Sequence, residues 1–125
     1  MMPTKKFRSA GAVIGSAAAL LLAATGVSAH AKLLSVVPKA DSTVESPKLI
    51  QVHFNEAVEV KLSSLKLTMS DGMAISVMSM NEAKDPSTLS IMPNSPLKAG
   101  AYTATWSVVT DDGHKETGSF KFTVK

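Results

Sequence analysis

The chain has 125 residues, with 13 Lys and Arg against 10 Asp and Glu, and no cysteine. That is one domain's worth of chain, and the absence of cysteine excludes a disulfide framework and a thiolate metal site. The formal charge of +3 is unevenly spread: Lys5, Lys6 and Arg8 precede residue 30 and all ten acids follow it, so residues 30–125 are formally neutral, which gives no reason to expect nucleic-acid binding.

In chain order, the first predicted element is a secretory signal peptide over residues 1–29. Lys5, Lys6 and Arg8 form its basic region, and Ala10 to Val27 is almost wholly apolar or small. Val27-Ser28-Ala29 supplies small residues for cleavage after Ala29. The apolar stretch approaches the roughly 20 residues that span a bilayer. Its Ala and Gly content and its cleavage motif favour removal over a permanent anchor. No second long apolar stretch follows, so the mature protein, residues 30–125, is expected not to span a membrane.

The mature part reads as strands separated by turns. Lys32 to Val37 is a first strand, ended by Pro38. Ile50, Val52 and Phe54 alternate with Gln51, His53 and Asn55, as a half-buried strand does. Leu65, Leu67 and Met69 alternate with Ser64, Lys66 and Thr68, and Ser70-Asp71-Gly72 follows as a turn. Ile75 and Val77 begin another strand, and Leu89 and Ile91 mark a short one ended by Pro93. Tyr102, Ala104, Trp106 and Val108 form one apolar phase, and Phe120, Phe122 and Val124 form the last. No segment has a helical apolar period. Short strands punctuated by Gly, Pro, Asp and Asn predict an all-β sandwich or small barrel, and the mature length suits an immunoglobulin-like sandwich.

No glycine-rich nucleotide loop, Gly-x-Ser-x-Gly elbow or His-Glu-x-x-His pair occurs. The three histidines are His30, His53 and His114. Cleavage after Ala29 gives His30 a free α-amine beside its imidazole, and the two can close a six-membered chelate ring on one metal. Copper(II) favours nitrogen ligands in a tetragonal plane. With unperturbed pKa values near ~8 for the amine and ~6.5 for the imidazole, copper displaces few protons at neutral pH. Taken alone, a histidine after a signal cleavage is an ordinary mobile terminus. Asp112 and His114, two residues apart around Gly113, point to one side of an extended segment and can converge on one ion. The plainer account is a polar hairpin turn. Glu56 follows the strand ending at Phe54 and could add a carboxylate. His53 reads as a surface histidine.

Met69, Met73, Met78 and Met80 fall within a dozen residues, and Met92 comes later. Thioethers suit copper(I), and methionines are also adaptable core fillers. Met69 shares the apolar phase of Leu65 and Leu67. Met78 and Met80 have the opposite parity to Ile75 and Val77, so a regular strand would project them from the other face.

Together these features resemble the CopC-type periplasmic copper-resistance proteins. The resemblance covers essentially the whole mature chain. It runs from His30-Ala-Lys-Leu and Pro38 through Ile50-Gln-Val-His-Phe-Asn-Glu56, Asp85-Pro86 and Pro96-Leu97-x-Ala99-Gly100-x-Tyr102. It continues with Trp106 and Val109, Asp112-Gly-His114, and Thr117-Gly118-x-Phe120-x-Phe122-x-Val124. It implies a Greek-key β-sandwich of about seven strands that binds copper without catalysis. It places copper(II) ligation on His30, Asp112 and His114, with Glu56 auxiliary, and sets Trp106 near that end of the sandwich. A copper(I) site would draw on Met69, Met73, Met78 and Met80, although this methionine stretch lacks the histidine found in family members with such a site. The implied role is periplasmic copper carriage or sequestration, with an inner-membrane copper transporter or another periplasmic copper protein as partner. Two other classes stand beside it. One is a copper-dependent oxidative enzyme built on the His30 chelate, which would need a broad substrate face. The other is a metal-free structural sandwich.

Overall fold

A computed structural model describes residues 31–81 and 84–125. The expected signal peptide and His30 therefore lie outside the described residues. The expected alternations become eight strands: β1 (Leu33–Val37), β2 (Thr43–Val44), β3 (Ile50–Phe54), β4 (Ser64–Met69), β5 (Val77–Ser79), β6 (Thr88–Pro93), β7 (Gly100–Val109) and β8 (Lys115–Val124). A 3-10 turn, Val60–Leu62, precedes β4. Among the described residues no helix is long and apolar enough to cross a membrane.

Two four-stranded sheets face each other, ordered β1-β3-β6-β5 and β2-β8-β7-β4. The chain crosses between them at most connections, as a Greek-key sandwich requires. Neighbouring strands are antiparallel except β2, which lies parallel to β8 with Thr43 opposite Thr123. The expected sandwich of about seven strands thus has eight, one of them a two-residue parallel addition. Its carbonyls extend the pairing, since Thr123 N–H donates to Ser42 O and Lys125 N–H to Val44 O.

The strands form here because their sequence period matches the pleat. Ile50, Val52 and Phe54 point inward and are buried, as are Tyr102, Ala104, Trp106 and Val108 from β7 and Phe120, Phe122 and Val124 from β8. Tyr102 stacks on Phe122 with ring centroids 5.6 Å apart, and its hydroxyl donates to the backbone carbonyl of Lys98. That bond fixes the corner leading into β7, as a tyrosine commonly does in immunoglobulin-like sandwiches. Nearer the other end, Trp106 meets Phe54 edge to face at 6.0 Å. Its indole lies across Gly118, where a Cβ would stand 2.3 Å from the ring. Gly118 is therefore a packing requirement of the tryptophan.

Candidate metal centre

The ten-residue strands β7 and β8 are joined by a tight loop, Asp111–Gly113. Thr110 N–H donates to His114 O at 2.9 Å, closing the hairpin, and Gly113 N–H donates to Thr110 O. Gly113 has φ +88°, the left-handed position that such three-residue loops require and that glycine adopts without a Cβ penalty. Thr110 is buried beneath the loop and bridged to Val58.

This loop presents Asp112 and His114 as one unit. His114 Nδ1 lies 2.9 Å from Asp112 Oδ2, and His114 N–H donates to Asp112 Oδ1 at 3.3 Å. The Thr110 hydroxyl also donates to Asp112 Oδ1. These bonds, that from Thr110 first and those from His114 next, lower the Asp112 pKa to about 2. The group is an ionised carboxylate at any ordinary pH. The pair that the sequence put forward is thus brought together, with aspartate and histidine in contact with each other. Such a contact fixes the ring orientation, a common arrangement behind a metal-bound histidine.

The start of the described chain is tied to the same end. Ala31 N–H donates to Glu116 Oε2 at 3.1 Å, and Glu116 is two residues beyond His114. Lys32 N–H donates to Asn55 Oδ1 at 2.7 Å, and Asn55 N–H returns a bond to Lys32 O. Ala31 is itself buried as part of the core cluster. The peptide nitrogen that follows His30 is therefore anchored beside the Asp112–His114 loop. Glu56, half-buried, follows Asn55 and precedes Val58, which pairs with Thr110. Among the described residues no three His, Cys, Asp or Glu side chains form a group that could hold a metal.

Glu116 was not singled out from the sequence, yet a signal for it existed. It stands opposite Val108 in the β7–β8 register, in phase with Gly118, Phe120 and Phe122. A carboxylate in the inward phase at a strand's end calls for a donor, and the Ala31 amide supplies one.

The methionines do not form a single group. Met69 ends β4 in the second sheet and packs partly on the core. Met73 is exposed in the following turn, and its carbonyl accepts from Met69 N–H. Both line a hollow with Tyr102. Met78 and Met80 belong to the first sheet, at and just beyond β5, and both are exposed. As their parity predicted, Val77 packs against the core while its neighbour Met78 faces away. His53 is half-buried, with Nδ1 2.8 Å from Thr88 Oγ1.

Comparison with known proteins identifies the family. Residues 33–125 match the family model described as the CopC domain. The chain is 41% identical over 104 residues to copper resistance protein C of Escherichia coli, covering 78% of this chain and 82% of that protein. It is 40% identical over 114 residues to copper resistance protein C of Pseudomonas syringae pv. tomato, covering 86% and 90%. The crystal structure of PcoC, a methionine-rich copper resistance protein from Escherichia coli, superposes with a TM-score of 0.72 at 42% identity, covering 78% of this chain and all of that one.

Proposed function

Because the chain belongs to the CopC family of copper resistance proteins, we propose that its mature form is a periplasmic, non-catalytic copper(II) carrier whose metal site is completed by the N-terminal His30. The α-amine and imidazole of His30 form the chelate, His114 binds through Nε2, and carboxylate oxygen from Asp112 and Glu56 completes the set. Asp112 would ligate by exchanging the His114 Nδ1 contact for the metal. Left in that contact, it orients the ring. The ion is received from or passed to an inner-membrane copper transporter or another periplasmic copper protein.

The observation that carries this reading is the bond from Ala31 N–H to Glu116. It anchors Ala31 at a carboxylate two positions along the chain from His114, and this supports a site that draws on the residue before it. The surroundings favour copper carriage over oxidative catalysis. Tyr102 and Trp106, which could have offered an aromatic substrate face, are both buried in the core.

The test is an electron paramagnetic resonance spectrum with one equivalent of copper(II), taken on mature protein and on a form with one glycine before His30. Mature protein should give nitrogen-rich tetragonal parameters. The extended form should lose them, because its amine has become an amide that binds copper only after deprotonation. Identical spectra from the two forms would remove His30 from the site.

A further inference from the structure

Thr110 continues the inward phase of β7. Tyr102, Ala104, Trp106 and Val108 precede it at the same spacing, and it is 1% exposed. Valine would pack as well behind four apolar residues in phase, so the hydroxyl answers to something other than the core. Burying a hydroxyl unbonded is costly, and the loop supplies its partners. It donates to Asp112 Oδ1 and stands 3.3 Å from His114 O. A threonine hydroxyl has one proton to give, and an ionised acceptor makes the stronger bond. The proton therefore goes to the carboxylate.

Each oxygen of a carboxylate offers two lone-pair sites. Asp112 Oδ1 accepts from the Thr110 hydroxyl and from His114 N–H, so both of its sites are used. Oδ2 meets His114 Nδ1 at 2.9 Å and keeps a second site. From this count we propose that Thr110 is a positioning residue of the copper(II) site, its buried hydroxyl holding Oδ1 so that Asp112 can offer the metal Oδ2 alone. The proposal rests on the copper(II) reading above and adds how many places the aspartate takes. Copper(II) favours a tetragonal plane of four donors. The amine and imidazole of His30 and the imidazole of His114 fill three, which leaves one for a carboxylate oxygen. An aspartate free to turn could close on the ion with both oxygens and displace a nitrogen. Thr110 itself touches no metal and acts through Asp112. Its backbone closes the hairpin through His114 O and Gly113 N–H, and those bonds survive a change of side chain.

The test is the electron paramagnetic resonance spectrum and the copper(II) affinity of mature protein beside Thr110→Val, Thr110→Ala and Thr110→Ser. Valine keeps the branched shape without the hydroxyl, alanine removes both, and serine keeps the hydroxyl without the methyl. The valine and alanine variants should move the g and copper hyperfine values away from the parent's. Their affinity, from a competition assay, should fall by about 10–100-fold, the usual cost of losing an outer-sphere partner. The serine variant should return the parent spectrum. In metal-free protein the carboxyl carbon-13 resonance of Asp112 should shift in the valine and alanine variants and hold in the serine one. A parent spectrum in the valine and alanine variants overturns the proposal. So does a serine variant whose spectrum follows valine's, because packing rather than the hydroxyl would then set the site. Circular dichroism of each variant checks that the sandwich has folded. The two readings fail separately. A parent without nitrogen-rich parameters sinks the copper(II) assignment and this proposal with it, while a nitrogen-rich parent with an unmoved valine variant sinks this proposal alone.

Discussion

The Asp112–His114 loop and the outer face of the first sheet hold candidate ligands by opposite means. At the loop, three sequence-distant segments are tied together by polar bonds: Ala31 to Glu116, Lys32 to Asn55, and Thr110 and His114 to Asp112. At the sheet, strand register sets Met78 against Met92, and side-chain bonds flank the pair: Ser90 N–H donates to Asn81 Oδ1 and Asn94 Nδ2 donates to Ser76 Oγ. The first region fixes direction, which suits a metal with strong angular preferences and nitrogen or oxygen donors. The second offers mobile thioethers on a rigid edge, which suits a soft ion with weak angular demands.

The sharpest way to break the contrast is to remove a loop ligand and measure both ions. His30→Ala and His114→Ala should each weaken copper(II) by more than the roughly 10–100-fold that loss of an outer-sphere partner costs. Neither should move binding of silver(I), a soft monovalent probe for the methionines. A copper(II) competition assay beside a silver(I) titration checks this, and a parallel loss of both ions would merge the two regions into one. Next in size, Glu116→Ala deletes the anchor of Ala31 and should cost about 10–100-fold in copper(II) affinity by loosening the terminus. If affinity holds, the anchor does not position His30.

A third change acts on the scaffold. Gly118→Ala drives a Cβ into the Trp106 indole and should destabilise the sandwich by about 1–3 kcal/mol, the usual cost of overpacking. Urea unfolding would measure it, and an unchanged midpoint would mean that the ring moves aside freely. Smaller still, Glu56→Gln keeps its shape and should weaken copper(II) only a few-fold, since it is auxiliary to two imidazoles and an amine. Zinc(II) at equal concentration should not displace copper(II) from the parent, following the affinity order of divalent ions. Competition dialysis would expose the opposite.

Much of the frame was legible because burial writes a period of two into a strand. The buried apolar residues of β3, β7 and β8 could be read off in that way. β2 could not, because two residues carry no period, and its parallel pairing depends on where β8 already lies. Asp112 and His114 were legible as a spaced pair. Their mutual contact was not, since it depends on the left-handed Gly113 and on the buried Thr110 below. Glu116 reads as one more charge on a strand until its phase with Phe120 and Phe122 is noticed. Met92 was visible as a methionine but not as a neighbour of Met78, because the thirteen residues between them conceal the register.

Trp106 is the only tryptophan in the chain, and its place across Gly118 makes it an optical gauge of one region. Gly118 lies four residues along β8 from His114, about 13 Å at strand rise. Bound copper(II) is paramagnetic and quenches excited indoles over such short spans. The emission of the unlabelled protein should therefore dim as the loop fills, so that one fluorescence trace, recorded while copper(II) is added, reports how far that end of the sandwich is loaded.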